Sequence, residues 1–280
     1  MIQLNNINFS YGKTKLFEDL SFTFDEGKIY GLLGLNGAGK STLLYLMSGL
    51  LFAQKGTVTY KGKNVASRRP STLADMFLLP EEFELPNMKF EKFISINAPF
   101  YPRFSRQTLE RCLSGFEMSV DINLGNLSMG QKKKAFMCFA LAANTSLLLL
   151  DEPTNGLDIP SKSQFRKVVS ECMTDDRTII ISTHQVRDVE NLIDEITIVN
   201  NRSIVFDEPV SRISAKLLFA DRAADLDAES IIFTQPSPIG NMAVARRTDA
   251  DDETQLNIEL LFNAVLAEPQ KVAQIFKSND

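Results

Sequence analysis

Three short segments of this sequence carry residues whose types and spacing suit work on a triphosphate. "GLNGAGKST", Gly34 to Thr42, fits the pattern GxxxxGK[ST]. Glycines there let backbone N–H groups wrap phosphate oxygens, the lysine bridges the β- and γ-phosphates, and the next hydroxyl faces Mg²⁺. The pattern gives nucleotide contact to Gly34, Asn36, Gly37, Ala38, Gly39, Lys40, Ser41 and Thr42, with Ser41 also a metal ligand. Such a site needs an acid at the end of a buried strand. "LLLLDEP" supplies two: Asp151, to hold Mg²⁺ through its shell, and Glu152, to polarise an attacking water. "TIIISTH" brings His184, the only histidine among 280 residues, to the end of another apolar run. At the carboxyl edge of a parallel sheet it would meet the γ-phosphate and the water. The chemistry implied is phosphoryl transfer to water.

A fourth segment raises a question. "NLSMGQKKK", Asn126 to Lys134, opens a long helix. The first turn of a helix has unpaired N–H groups and the positive end of the dipole, so it is itself an anion site. One chain would then carry two phosphate sites. The lysines Lys132 to Lys134 are read as a solvated face, or as an attraction for anionic nucleotide.

The elements that must position these residues show as alternation. Residues 1–30 read as short strands, then "KIYGLLG" as a strand buried on both faces, the glycine-rich turn, and the helix "KSTLLYLMSGLLF" with Leu43, Leu44, Met47 and Leu50 on one stripe. From about Pro80 to Asn126, prolines punctuate short helical pieces, which reads as a helical insertion. The long helix after Ser128, the strand "SLLLLDEP", the helix "SKSQFRKVVSECM" and the strand "RTIIISTH" follow. All-apolar strands alternating with helices imply an α/β core with parallel strands. Beyond Pro209 the pattern loosens: "SIIFTQ", "NMAVARR" and "QLNIELLF" suggest strands, "RTDADDETQ" a polar break, and a last helix runs towards Lys277. The expected division is a core over residues 1–210, with the helical insertion at about 80–130, and an α+β extension over 211–280. That extension holds no phosphate-binding motif, so it is expected to be dispensable for nucleotide chemistry.

Composition narrows the function. With 30 basic and 35 acidic residues the formal charge is −5, which argues against a general nucleic-acid binder. Cys112, Cys138 and Cys172 are scattered, with no CxxC pair, and read as buried free thiols in a reducing compartment. "MIQLNNINFSYG" has neither a basic start nor an apolar run, and nothing approaches a membrane span, so a cytosolic chain is expected.

In order and spacing these segments resemble the ATP-binding cassette (ABC) family over residues 1 to about 210. "LSMGQ" is similar to the family's signature motif, usually LSGGQ, and "NGLD", Asn155 to Asp158, to its D-loop. "STHQ" matches its switch histidine, "SYG" puts Tyr11 where an aromatic ring stacks on adenine, and "LLPEE" stands at the Q-loop. The resemblance implies a P-loop ATPase core with a β subdomain and a helical insertion. It implies ATP and Mg²⁺ as cofactors, and Glu152 and His184 as catalytic residues. It also answers the question of two phosphate sites. Family cassettes meet head to tail, so that Ser128, Gly130 and Gln131 of one would contact the ATP held by the other's P-loop, with Asp158 linking the halves. The partners implied are a second cassette, identical or related, and an integral membrane permease docked on the helical insertion, with the chain peripheral at the inner face of the membrane.

Two positions depart from the family. Glu81 stands where glutamine is usual; a carboxylate there could also ligate Mg²⁺, so Glu81 joins Ser41 and Asp151 as a candidate ligand. Met129 replaces a signature glycine. The ending "LNIELLFNAVLAE" resembles the tail of drug-type export cassettes. The other readings weighed are a soluble ABC-type ATPase of cofactor assembly and a non-hydrolysing regulator. The intact Lys40, Asp151, Glu152 and His184 speak against the second.

Overall fold

The computed structural model describes residues 1–238, 240–248 and 251–277. Of the polar break, Asp249 and Ala250 lie outside the described residues. Alternation in the first residues produces a long hairpin, β1 (Ile2–Tyr11) and β2 (Thr14–Phe24), whose inward residues Ile2, Leu4, Ile7, Phe17 and Phe24 are buried. The uninterrupted apolar run becomes β3 (Ile29–Leu33), buried at every position, and the P-loop leads from it into α1 (Lys40–Met47). That helix stops sooner than the stripe predicted: Gly49 takes φ 68°, and Leu50, beyond it, is exposed. β4 (Lys55–Tyr60) and the two-residue β5 (Lys63–Asn64) complete an antiparallel sheet of order β2-β1-β4-β5.

After the single turn α2 (Pro70–Leu73), β6 (Met76–Leu79) enters the central sheet. α3 (Phe90–Asn97) and α4 (Arg106–Gly115) form the helical insertion, and α5 (Met129–Ala142) returns to the core. Then follow β7 (Leu147–Asp151), α6 (Ile159–Glu171), β8 (Thr178–Thr183), β9 (Glu195–Asn200) and β10 (Ser203–Pro209). The central sheet has the order β10-β9-β3-β8-β7-β6, parallel except for the edge strand β10. Burial of β7 and β8 at every position is what their leucine and isoleucine runs require; each fully buried side chain of this kind contributes roughly 1.5–3 kcal/mol. All three cysteines are free and buried, and Cys112 and Cys172 meet at 3.5 Å between their sulfurs.

α7 (Val210–Lys216) leads to a second antiparallel sheet, built from β11 (Leu217–Ala220), β12 (Ile231–Ser237) and β13 (Gly240–Arg246) in the order β11-β13-β12. Here one expectation fails. "NIELLF" is not a strand but the start of α8 (Ile258–Ala267), followed by α9 (Pro269–Lys277). The Asn257 side chain caps α8 by accepting from the Leu260 N–H, and Ile258, Leu261 and Val265 bury one face at helical spacing.

Candidate functional site

Strand order gathers the chemistry. β3, β8 and β7 are neighbours, so the P-loop after Leu33, His184 after Thr183 and Asp151 at the end of β7 share one carboxyl edge. Registers tie Leu33 to Thr183 and Asp151 to Ser182. This is where ligands sit in parallel α/β sheets. A cleft of about 350 Å³ opens there, with Tyr11, Gly37, Lys40, Ser41, Glu81 and Glu152 among its lining residues.

The P-loop needs its glycines. Gly39 has φ 101°, and a Cβ there would lie 2.7 Å from the Phe17 ring. A Cβ on Gly34 would lie 2.8 Å from the Val199 carbonyl oxygen. Lys40, only 7% exposed, donates from Nζ to the carbonyls of Gly34 at 2.9 Å and Leu35 at 3.4 Å, and stands 3.8 Å from Glu152 Oε1. Burial holds its ammonium below the ordinary lysine range, while Glu152, Asp151 and Glu81 pull the other way. Asn36 and Gly37 are exposed on the loop, Ala38 is half-buried, and Thr42 Oγ1 lies 3.3 Å from the Tyr11 hydroxyl. Tyr11 is thus set beside the P-loop, half open to solvent, with its ring edge-on to Phe9.

Asp151 is buried, and its Oδ1 accepts from Ser41 Oγ at 3.0 Å and from Ser182 Oγ. Its Oδ2 is buried with no hydrogen-bond partner. Burial pushes this carboxyl above the usual range, and the two serine hydroxyls draw it back. An orphaned carboxylate oxygen beside a serine hydroxyl fits a hard cation that prefers oxygen. No cluster of three or more His, Cys, Asp or Glu that could hold a metal occurs among the described residues. A cation here would share its shell with phosphate and water oxygens, as Mg²⁺ commonly does.

Glu152 and His184 form a pair. Glu152 Oε1 lies 2.8 Å from His184 Nδ1, and Oε2 accepts from Thr183 Oγ1 at 3.0 Å. Glu152 is buried and carries φ 42°, a left-handed conformation rarely adopted by a non-glycine residue. Glu81 lines the cleft, but its Oε1 is engaged by Asn155 Nδ2 at 2.7 Å.

Ser128, Gly130 and Gln131 are not among the residues lining that cleft. Ser128 caps α5 in a reciprocal box: its Oγ accepts from the Gln131 N–H at 3.3 Å, and Gln131 Oε1 accepts from the Ser128 N–H at 3.0 Å. Gly130 packs against the turn before Asp158, where a Cβ would lie 3.3 Å from the Gly156 carbonyl oxygen. Asp158 caps α6 by accepting from the Ser161 N–H at 2.9 Å. Ser128, Met129, Asp158 and Ile159 are all exposed, so the start of α5 and the D-loop face outward.

Two features escaped the sequence reading. Lys133 is not on a solvated face: it is 3% exposed, and its Nζ donates to the carbonyls of Glu152 at 3.1 Å and Asn155 at 2.9 Å. The signal was present, since Lys133 stands four and seven residues before the buried Met137 and Ala140. Nor is the extension remote. α8 reaches the segment after His184: Glu190 Oε1 accepts from the Ile258 N–H at 3.4 Å, and Arg187 pairs with Glu259 at 2.8 Å. Its Phe262 lines a hollow of about 240 Å³ together with Leu35, Asn36, Thr183, His184 and Val186. Truncation after residue 212 is therefore expected to keep ATP binding but lower kcat by about 10-fold or more, through a loosened His184. ATP titration and phosphate release would measure both, with melting curves to establish that the truncated chain is folded. A folded truncation with full-length kcat would show that α8 does not hold the histidine.

Known proteins resemble this chain in sequence and in fold. A family model described as ABC transporter matches residues 17–155, from β2 to the D-loop. The ABC transporter ATP-binding protein YtrB of Bacillus subtilis is 26% identical over 245 residues, 87% of this chain and 84% of YtrB. The linearmycin resistance ATP-binding protein LnrL of the same organism is 26% identical over 281 residues, 97% of this chain and 88% of LnrL. A solved structure of an ATP-binding subunit of an ABC transporter superposes with a TM-score of 0.69 at 24% identity, covering 77% of this chain and 92% of that one, which bears on the fold alone.

Proposed function

We propose that this chain, an ATP-binding and ATP-hydrolysing subunit of the ABC transporter family, works as one half of a head-to-tail pair of cassettes driving a separate membrane permease in the direction of export. The observation that carries the pairing is the separation of the two phosphate-binding elements. One chain builds a P-loop cleft that its own Ser128 and Gly130 do not line, while Ser128 stands exposed and Gly130 half-buried at the start of α5. A second cassette, turned head to tail, brings its signature residues to the first one's γ-phosphate, and the exposed Asp158 and Ile159 meet across the join.

Within each composite site, P-loop N–H groups and Lys40 hold the phosphates and Tyr11 stacks on adenine. Ser41 and Asp151 hold Mg²⁺, with Glu81 at the cleft as a further oxygen. When bound, the cation neutralises phosphate charge and aligns the oxygens. Glu152, oriented by Thr183 and His184, accepts the proton of the attacking water. The division at about residue 210 follows the same logic: every phosphate-binding residue precedes it, and the second antiparallel sheet lies beyond it.

No helix among the described residues is long and apolar enough to cross a membrane, and the permease is proposed as a separate protein. The insertion offers it a place: Ile96 and Phe100 are exposed there, and Phe83, two residues after Glu81, stacks on Phe136, which touches Phe93 of α3. Export is favoured because the alignment with LnrL, named for resistance to a compound, runs through the extension as well as the core. A family of transporter subunits gives no support to cofactor assembly.

The chain purified in mild detergent from membranes of cells that naturally make it should bring down an integral membrane protein that stimulates its ATPase. Recovery only from the soluble fraction, with no such protein attached, would overturn the transporter role.

A further inference from the structure

Three segments that hydrolysis must coordinate converge on a small polar knot. Glu81 comes from the Q-loop after β6, Asn155 from the D-loop after β7, and Lys133 from the second turn of α5. Asn155 joins the other two: its Nδ2 donates to Glu81 Oε1 at 2.7 Å, and its carbonyl accepts from Lys133 Nζ at 2.9 Å. The same ammonium donates to the Glu152 carbonyl at 3.1 Å. Glu81, Lys133 and Asn155 also line one cavity, of about 580 Å³, together with Met129 and Gly156.

Lys133 is buried with no carboxylate in direct contact, a costly arrangement unless its donors are satisfied and its charge is balanced nearby. The carbonyls of Glu152 and Asn155 take two of its three N–H donors, Asn155 ties it to Glu81, and the carboxylates of Glu81, Glu152 and Asp151 balance its charge, Glu81 most strongly. The residue it grips is the strained one. Glu152 has φ 42°, a conformation that a non-glycine residue holds only when its surroundings impose it. Its N–H donates to the Ser182 carbonyl at 2.9 Å, and its carbonyl is fixed by Lys133 and by the Asn155 N–H at 3.2 Å. Lys133 therefore lies outside the P-loop cleft yet clamps the backbone of the residue that faces the water.

We propose that Lys133 is a positioning residue for Glu152, and that Glu81 is present as its charge partner, so that the Q-loop, the D-loop and the signature helix α5 move as one polar unit. The proposal rests on Glu152 acting as the base. It gives Glu81 a role within the chain as well as at the cleft: withdrawing the Q-loop carboxylate removes the strongest of the negative charges that balance the ammonium beneath Glu152, which links movement of the helical insertion to the base. The basic run that begins α5 and the acidic Q-loop thus form one feature.

The test uses the full chain with Lys133→Met, Lys133→Gln, Glu81→Gln, the double variant Glu81→Gln/Lys133→Gln, and Glu152→Gln in parallel. ATP titration, single-turnover phosphate release and melting are recorded for each. Lys133→Met should lower kcat by about 10-fold while ATP affinity stays within about threefold, since the phosphates are held elsewhere. The two Gln variants should each slow turnover, and the double should retain at least about fivefold more activity than the product of the two single fractional rates predicts, because removing both charges together leaves neither unpaired. If Lys133→Met fails to fold, Lys133→Gln and the double carry the test. The proposal is overturned by a Lys133→Met protein with wild-type kcat, by a variant that loses only melting temperature, or by single effects that multiply in the double. A Glu152→Gln protein that hydrolyses normally would instead remove the reading of Glu152 on which the proposal rests, and the proposal with it. An inactive Glu152→Gln protein beside a fully active Lys133→Met protein would overturn the positioning role alone.

Discussion

Glu152→Gln lowers ATP turnover by about 100-fold or more, the loss typical of removing a general base. The amide keeps the size of the side chain and can still meet the Thr183 hydroxyl or His184 Nδ1, now at 3.0 and 2.8 Å from the two carboxylate oxygens. It cannot take a proton from water. Lys40, Ser41 and Asp151 are untouched, so ATP should still bind, and because the unproductive complex does not decay, an ATP-bound dimer should accumulate. Steady-state phosphate release gives the first quantity, and size-exclusion chromatography with and without ATP the second. A variant that turns over at the normal rate, or one that binds ATP and remains monomeric, would refute the role given to Glu152.

What could be read from the sequence was whatever local chemistry dictates. The P-loop announces itself because its backbone conformation demands glycine, as the φ of 101° at Gly39 shows. Runs of leucine and isoleucine announce β7 and β8 because only strands covered on both faces tolerate them. Long-range partners leave weaker marks. The lysine run looked solvated, yet one of its three members turns inward, a choice set by the helical phase of α5 and by carbonyls 19 and 22 residues away. Arg177, in the polar turn "TDDRT", is 2% exposed and donates to the carbonyls of Leu141, Thr145 and Cys172, and nothing in its neighbours announces that. α8 reads as a strand in the sequence because "QLNIELLF" fits both periods over so short a span, and the Asn257 cap decides it. That α8 reaches the segment after His184 is a fact of tertiary packing alone.

The signature helix is proposed to serve the neighbouring chain's nucleotide. Lys40→Ala removes the ammonium now buried between the P-loop carbonyls and Glu152, and so damages the cleft of its own chain. Ser128→Arg replaces the exposed serine of α5 with a bulky cation; it gives up the cap on the Gln131 N–H but leaves the P-loop cleft of its own chain untouched. Each homodimer carries the same defect in both composite sites, and each should lose about 100-fold or more of its activity. In a mixed dimer the geometry sorts the defects unequally. The Ser128→Arg chain's intact P-loop faces the Lys40→Ala chain's intact signature helix, while the other site holds both faults. The decisive measurement is the ATPase rate of the two variants mixed one to one, with mixed dimers quantified by separate tags. Random pairing makes half of the dimers mixed, so with independent sites about a quarter of wild-type activity should return. Mixed dimers that form yet remain as inactive as either parent would contradict the account.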